Sequence, residues 1–288
     1  MRKTARSFDP RQQMHRPDFE VFHYHDAKMQ EVPLHHHDFY EVYFFLGGKV
    51  EYQVEGRSYV LQPEDILLIS PQELHRPNVT PDEPYERIVL WVNAGYLSSI
   101  DGDGALRRCF EAGRNLLHGA HTSVASLIRQ LAAESLSKRA GNELYTRGLF
   151  FQLMAELLRL SEESSAEPEG SEPSPLVSRL LEFLSVHYRE EISLDALADV
   201  FFVSKYHLSH QFSHSVGTSV YRYVLLKRLQ HARQMLMNGS GPGEACRESG
   251  FQDYANFYRS FRSVYGISPQ DACSHKEQVF SANGRGSL

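Results

Sequence analysis

The sequence is poor in cysteine and in long apolar runs, and each shortage excludes a class of protein. Its 288 residues include three cysteines, Cys109, Cys246 and Cys273, which lie far apart without a Cys-x-x-Cys pair. This spacing indicates neither a disulfide framework nor a cysteine zinc site, and it fits a reducing compartment. Apolar runs such as 66–69 are far shorter than the roughly 20 residues that span a bilayer.

The N-terminal segment lacks the apolar core of a secretory signal. MRKTARSFDPRQQ is basic and contains no apolar stretch. We therefore expect a cytoplasmic protein without a membrane partner.

Acidic residues outnumber basic ones in the whole chain but not in its C-terminal part. The formal net charge is −6, yet residues 205–262 contain eight Lys and Arg against three Asp and Glu. Because salt screens exposed charges beyond about 10 Å, a local basic surface can attract phosphate even on an acidic protein.

A polar segment divides the chain. Residues 161–175 contain Ser, Glu, Pro and Gly and almost no apolar side chains, which predicts a flexible linker. It separates a predicted N-terminal domain, 1–160, from a C-terminal domain, 176–273. We expect residues 274–288 to be a disordered tail.

The N-terminal domain changes its pattern along its length. Short segments rich in Val, Ile, Tyr and Phe fill 19–93, separated by turn signals such as Gly47-Gly48, and predict a small β-barrel or sandwich. From 122 to 160 the apolar residues recur at helical spacing. The two amphipathic helices expected there are either a packing layer of the domain or a dimer interface.

The C-terminal domain contains one helical plan twice. Each copy, 193–217 and 243–266, has a short helix, a tight turn, a second helix with aromatic and basic residues, and a final Gly. Ser204 and Asp253 stand where a side-chain oxygen can cap the second helix. Two helix-turn-helix units indicate a protein that binds double-stranded DNA.

Side chains on the outer side of each second helix are the candidate DNA contacts. They are Lys205, Tyr206, Ser209 and His210 in the first copy, and Tyr254, Ala255, Asn256 and Arg259 in the second. Arg259 is the best suited to a bidentate contact with guanine. A helix over 218–237 would be roughly 30 Å long, close to one turn of duplex at about 34 Å. We therefore expect the two units to bind successive major grooves of a bipartite site, with unequal contributions.

The segment GFQDYANFYRSFRSVYGISP, 250–269, opens a turn with Gly-Phe, packs its helix with two aromatic residues and ends in Gly-Ile-Ser-Pro. The first copy adds Ser204, Leu208 and Phe212 at four-residue spacing. With these features the block 194–269 resembles the AraC-type family of bacterial transcription regulators. The resemblance implies a sequence-specific regulator, an activator rather than a repressor, with Tyr206, Ser209, His210, Tyr254, Ala255 and Arg259 close to base edges.

Three positions depart from the family pattern. Pro242 and Ala245 stand where the helix before the second turn usually has large aliphatic residues, and Phe202 occupies a turn position where small or polar residues are common. We expect the helix near Pro242 to be short or loosely packed.

A histidine-rich motif opens the second predicted strand. HHHDFYEVYFFLGG has the order His-x-His-x3-Glu-x6-Gly, with His75 after the next strands. His35 and His37 lie two apart on an extended chain and so point the same way, and Glu41 and His75 could complete a facial set around a divalent metal. The pattern resembles the two motifs of cupin barrels, with Asp65 in place of a usual Gly, and in metal-binding cupins these four positions are the ligands. We expect His36 to face water.

The resemblance also implies an effector pocket in the barrel. We favour a metal-free polar pocket or a structural ion over a catalytic metal. Aromatic residues such as Tyr52 would suit a sugar or another small polar metabolite, although core packing explains them equally well. The candidate effector-binding residues are His35, His37, Glu41, Tyr43, His75 and Trp91.

The predicted fold is therefore α+β: a cupin-like barrel with flanking helices, then an all-α domain of two helix-turn-helix units joined by a linker helix. The leading hypothesis is a transcription regulator, not an enzyme, that responds to a small-molecule effector and forms a homodimer, with RNA polymerase as a further partner. One alternative is a metal-dependent cupin oxygenase or isomerase. Another is a constitutive DNA-binding protein whose barrel only dimerises.

Overall fold

The computed structural model describes residues 13–27, 32–80, 83–110, 115–118, 122–163 and 170–273. The chain divides into one unit of residues 1–172 and another of residues 173–288. The first contains the described strands and the second is helical, which confirms the predicted α+β class.

The N-terminal unit contains two antiparallel sheets. The larger has the order β1-β7-β2-β5-β8 and the smaller the order β4-β3-β6. The strands are β1 (Phe19–Asp26), β2 (Phe39–Gly47), β3 (Val50–Val54), β4 (Arg57–Val60), β5 (Ile66–Ile69), β6 (His75–Val79), β7 (Tyr85–Asn93) and β8 (Leu116–Leu117). An isolated bridge between His35 and His75 links the segment before β2 to β6. Apart from this bridge, the described strands form two separate sheets, which are the two walls of a cupin-like sandwich.

Side chains that alternate between the two faces of each strand divide the core into two clusters. On β2, Tyr43 and Phe45 belong to an inner cluster that includes residues of both sheets, such as Tyr52. Val42 and Phe44 instead face an outer cluster with the helices. Because successive strand residues point to opposite faces, the inner face can carry polar groups while the outer face is covered.

Helices cover the outer face of the larger sheet. They are α1 (Ala94–Ile100), α2 (Ala105–Cys109), α3 (Thr122–Glu134) and α4 (Asn142–Glu163). The Phe150 ring of α4 stacks on Phe19 of β1, with centroids 4.4 Å apart. The neighbouring Phe151 is 47% exposed. One side of α4 thus packs within the subunit, and the other side remains open to solvent.

The C-terminal unit consists of α5 (Pro175–His187), α6 (Leu194–Phe201), α7 (Lys205–Val216), α8 (Val220–Met237), α9 (Pro242–Glu248) and α10 (Tyr254–Tyr265). Ser204 and Asp253 cap α7 and α10, as predicted, by accepting backbone N–H hydrogen bonds. The joining helix begins at Val220 rather than 218, because Ser219 is its N-cap. The helix α9 is short, as expected, but Ala245 and Cys246 on it are buried, so it is not loosely packed.

The predicted linker, 161–175, overlaps ordered elements at both ends. Its first three residues complete α4, Ser171 pairs with Ser58, and Pro175 begins α5. Residues 164–169 and the predicted tail, 274–288, lie outside the described residues.

Candidate DNA-binding and ligand-binding sites

The helix α7 presents most of its predicted contacts to solvent. Lys205, Tyr206 and His210 are exposed, and Ser209 is half-buried. The Lys205 ammonium lies 2.5 Å from a carboxylate oxygen of Asp195 on α6. Leu208, on the opposite side of the helix, is buried. The helix therefore packs through its inner side, and its polar and aromatic side is exposed to solvent.

Three rings follow one another along the exposed side of α7. Tyr206 and His210 stack with centroids 5.9 Å apart, and His210 and His214 with centroids 6.4 Å apart. Sequence reasoning missed His214, although its spacing of four residues from His210 was a usable signal.

The helix α10 exposes all four of its predicted contacts, Tyr254, Ala255, Asn256 and Arg259. Phe257 and Phe261 on the other side are fully buried. Arg262 is also exposed, one turn beyond Arg259. Sequence reasoning did not include Arg262, although it follows Arg259 by three residues.

The turn between α6 and α7 contains Phe202 in a left-handed conformation with φ +54°. Its side chain is 94% exposed. The neighbouring Val203 N–H donates to the carbonyl of Ala198 and closes the turn. A bulky residue with positive φ is costly. Here the left-handed conformation is the C-cap that ends α6, and the Phe202 N–H donates to the Asp199 carbonyl.

The N-terminal unit with its two sheets is called the sheet domain below. Its inner face, between the two sheets, brings together His37, Glu41 and His75. One ligand atom from each lies within 4.8 Å of the others, and all three side chains are buried. The His35 ring lies outside that group but beside it, 4.4 Å from the His75 ring between centroids. The set predicted from sequence is thus brought together, with His35 at its edge.

Backbone carbonyls orient all three predicted histidine ligands. The Nδ1 atom lies 3.0 Å from the Pro33 oxygen in His35, 2.9 Å from the Phe39 oxygen in His37 and 2.8 Å from the Glu73 oxygen in His75. A carbonyl oxygen accepts and does not donate, so each Nδ1 carries a proton. In a neutral ring the Nε2 atom then presents a lone pair.

Burial favours the neutral form of two of these rings. It lowers the pKa of His35 to about 4 and the pKa of His75 well below its usual value. The neighbouring histidines lower both pKa values further, because like charges repel.

Two nitrogen atoms lie close to one carboxylate oxygen of Glu41. The Trp91 indole N–H donates to Oε2 at 3.0 Å, and His37 Nε2 lies 3.1 Å from the same oxygen. Glu41 and Trp91 are directly opposite on β2 and β7. The strand register therefore places the indole where it can orient the carboxylate.

Tyrosines continue the polar lining of the inner face. The hydroxyls of Tyr43 and Tyr85 are hydrogen-bonded to each other, and the Tyr43 ring packs on Tyr52. Burial raises the pKa of Tyr43 well above its usual value and the pKa of Tyr85 to about 12, so both remain protonated at neutral pH.

His36 does not face water as expected. His36 is only 7% exposed. The expectation relied on strand alternation, but apart from the bridge at His35 the segment 32–38 is not a strand. Alternation does not hold outside a strand, and the prediction was wrong.

The ends of α3 and α4 enclose an open cleft of about 760 Å³ on the surface. Its lining includes Glu134, Arg139, Leu144 and Tyr145. Leu144 is 79% exposed. Sequence reasoning had no signal for this cleft, because the loop between the helices sets its shape.

Within the described part of the chain, no helix is both long and apolar enough to cross a membrane.

Two family models match separate parts of the chain. Residues 16–154 match an AraC-like ligand binding domain, and residues 197–273 match a helix-turn-helix domain. The HTH-type transcriptional regulator YbfI of Bacillus subtilis (strain 168) is 27% identical over 241 residues, which are 79% of this chain and 82% of that protein. The HTH-type transcriptional activator RhaS of Escherichia coli O81 (strain ED1a) is 26% identical over 243 residues, 84% of this chain and 87% of that one. Among solved structures, ToxT from Vibrio cholerae covers 91% of this chain and 98% of its own, with 13% identity and a TM-score of 0.40.

Proposed function

Because the chain belongs to the AraC-type family of transcription regulators, with a ligand-binding domain before a helix-turn-helix domain, we propose that α7 and α10 read a bipartite promoter site. The observation that carries this proposal is the exposure of seven of the eight predicted contacts on two capped helices whose opposite sides are buried. The exception is Ser209, which is half-buried.

The helix α8 sets the spacing of the two reading helices. Its 18 residues make it about 27 Å long at 1.5 Å per residue. With the turns at its ends, this length supports insertion of α7 and α10 into successive major grooves, about 34 Å apart. The two helices contribute differently, because α10 carries Arg259 and Arg262 whereas α7 presents Lys205, Tyr206, Ser209 and His210.

The sheet domain is the effector site in this proposal. His35, His37, Glu41, Tyr43, His75 and Trp91 line its inner face or lie at its edge. A mixed wall of aromatic and polar groups suits a small polar metabolite such as a sugar. Binding there shifts the population of DNA-competent molecules. The domain binds its ligand and performs no catalytic step, in keeping with the regulators that the chain resembles.

The regulator activates transcription as a homodimer in contact with RNA polymerase, in the cytoplasm where bacterial promoters lie. One similar protein is named as an activator. Exposed apolar side chains of α4, including Leu144 and Phe151, support its outer side as the surface for a second copy.

Arg259→Ala is expected to relax specificity at one base pair of the site. A guanidinium bidentate to guanine contributes about 1 to 3 kcal/mol of discrimination against other bases. We would select binding sites from a random duplex library with the purified protein and repeat the selection with the variant. The expected result is the loss of one strongly preferred position and the retention of the others.

Arg262→Ala is the matched control on the same helix. If Arg262 contacts phosphate, the variant binds selected and random DNA more weakly by the same factor, and the salt slope falls by about one unit. An Arg259→Ala protein that loses affinity equally on both kinds of DNA would contradict its assignment to a base.

A further inference from the structure

We propose that residues 170–172 form a strap on the smaller sheet, whose attachment depends on the position of Tyr59 in the inner cluster and limits the movement of the C-terminal unit. The strap belongs to the N-terminal unit, which ends at Glu172. The inference deepens the proposed function and rests on it, since it assigns a regulatory step to the proposed effector site.

The strap lies along the free edge of β4. This strand is an outer strand of the smaller sheet and pairs on one side with β3. On its other side the Ser171 N–H donates to the Ser58 carbonyl at 2.8 Å, and the Ser58 N–H donates to the Ser171 carbonyl at 3.2 Å. An edge strand otherwise leaves such groups to water or to another chain. The strap is thus bound as one hydrogen-bonded pair of an antiparallel ladder.

Gly170 lies directly against the ring of Tyr59. Its φ is +113°, and a Cβ atom there would lie 2.8 Å from Cε1 and 2.9 Å from Cδ1 of that ring. Positive φ and the lack of a side chain therefore both permit this approach. A ring that moves toward Gly170 collides with its backbone, and a ring that moves away loses the packing. Displacement of Tyr59 in either direction therefore favours release of the strap.

Tyr59 connects the strap to both walls of the inner face. It is almost completely buried and belongs to the inner cluster. Its hydroxyl donates to Asn115 Oδ1 at 3.2 Å, and the Asn115 amide donates to the carbonyl of Leu68 on the larger sheet. Within the smaller sheet Tyr59 is directly opposite Tyr52, which packs on the candidate effector-binding residue Tyr43. A molecule that enters between the two sheets therefore alters the position of the Tyr59 ring.

The remaining contacts of the strap are weak enough to allow release. Arg57 Nη2 lies 3.0 Å from a carboxylate oxygen of Glu172, whose side chain is exposed. An ion pair of this kind contributes little to stability, because water and salt screen it. The net free energy of a few backbone hydrogen bonds is also small. The attached and released states are therefore close in free energy, and a small displacement of Tyr59 can shift the population between them.

Release changes the length of chain that carries the C-terminal unit. With the strap attached, residues 173–174 alone separate it from α5. With the strap released, the connection from the end of α4 to α5 comprises residues 164–174. When extended, the short connection reaches about 7 Å and the long one at most about 40 Å. The inner face thereby controls how far the two reading helices can move to reach a promoter.

Amide hydrogen exchange at Ser58 measures the attachment, because this N–H donates to the strap. Gly170→Ala and Ser171→Pro should each speed its exchange about tenfold, since a backbone hydrogen bond no longer protects it. Ser171→Ala keeps the backbone pair and should exchange as the parent protein does. The amides of β3 report on the sheet itself, and their exchange should not change in any of these variants.

Tyr59→Leu tests the connection to the inner face. Leucine keeps an apolar side chain in the inner cluster but lacks both the ring that Gly170 covers and the hydroxyl that binds Asn115. We expect the exchange at Ser58 to rise about tenfold, as in Gly170→Ala. Val60→Ala is the matched control on the same strand, where the side chain is exposed, and should leave this exchange unchanged.

Nuclear spin relaxation of backbone ¹⁵N measures the movement of the C-terminal unit. Its rotational correlation time should shorten in Gly170→Ala and Tyr59→Leu, because the unit then moves on the longer connection. It should equal that of the parent protein in Ser171→Ala and Val60→Ala.

Three results would overturn the inference. The first is a parent protein in which Ser58 exchanges as fast as in Ser171→Pro. The second is a Tyr59→Leu protein with protected β3 amides and unchanged exchange at Ser58. The third is an equal correlation time of the C-terminal unit in the parent and in Gly170→Ala. Binding of the parent protein to the selected DNA sites is measured in parallel, so that an attached strap without DNA binding contradicts the proposed function and not the strap.

Discussion

Gly250→Ala is expected to destabilise the C-terminal unit by at least about 3 kcal/mol and to abolish DNA binding through α10. Gly250 has φ +82°, and a Cβ atom there would overlap the Arg189 carbonyl oxygen and lie 2.7 Å from the Arg189 Cα. The left-handed conformation and the overlap with backbone both oppose a side chain. The Gly-Phe pair that opens the second turn therefore reflects a close approach between α9 and the chain after α5.

Thermal unfolding followed by circular dichroism measures the effect. The matched control is Gly243→Ala in α9, where a Cβ meets no atom closer than 3.7 Å and φ is ordinary. Alanine is the better helix former, so the control should keep or slightly raise the melting temperature. Equal melting temperatures for both variants would show that the approach to Arg189 is not a constraint.

Phe150→Ala is expected to destabilise the N-terminal unit by about 3 to 5 kcal/mol, the usual cost of removing a buried phenyl ring. Phe150 is 0% exposed and lies flat on Phe19, so it connects α4 to the outer face of the larger sheet. Its loss leaves a cavity that the surrounding structure fills only partially by relaxation. Denaturant unfolding of the full chain, with a probe for the sheet unit such as Trp91 fluorescence, measures the change.

Phe151→Ala is the control for this prediction and also tests the proposed dimer. Phe151 lies on the exposed side of α4, so its removal should change the unfolding free energy of the monomer by less than about 0.5 kcal/mol. If α4 joins two copies, the variant should shift the monomer–dimer equilibrium toward monomer in sedimentation. A variant that unfolds like Phe150→Ala would instead place Phe151 in the core of the domain.

Most of the helix-turn-helix unit could be predicted because its contacts are local. Ser204, Asp253 and the alternation of Phe257 and Phe261 with exposed residues all act within one or two helical turns. Such patterns depend on helical periodicity and capping, and both are determined by residues that are close in sequence. The helix α8 begins two residues later than the sequence predicted, because Ser219 is its N-cap.

The sheet domain could be predicted in kind but not in detail. The strand segments and the histidine motif could be predicted from the sequence. His36 was assigned to the wrong side, because the local backbone is not a strand. The pairing of Trp91 with Glu41 depends on the register between β2 and β7. A register shift of one residue would turn Trp91 to the other face of the sheet.

The sequence by itself thus determined the family, the double helical plan and the residues on the outer sides of α7 and α10, since these follow from short-range spacing. Only the tertiary structure decided that the Phe150 ring stacks on Phe19 of β1, and that Arg189 closes on Gly250. It also decided that three histidines fix their Nδ1 protons on backbone carbonyls and place Nε2 beside Glu41 or the neighbouring rings. The physical reason is that these contacts join residues distant in sequence or depend on the local path of the backbone, and neither is set by a periodic pattern of residue types.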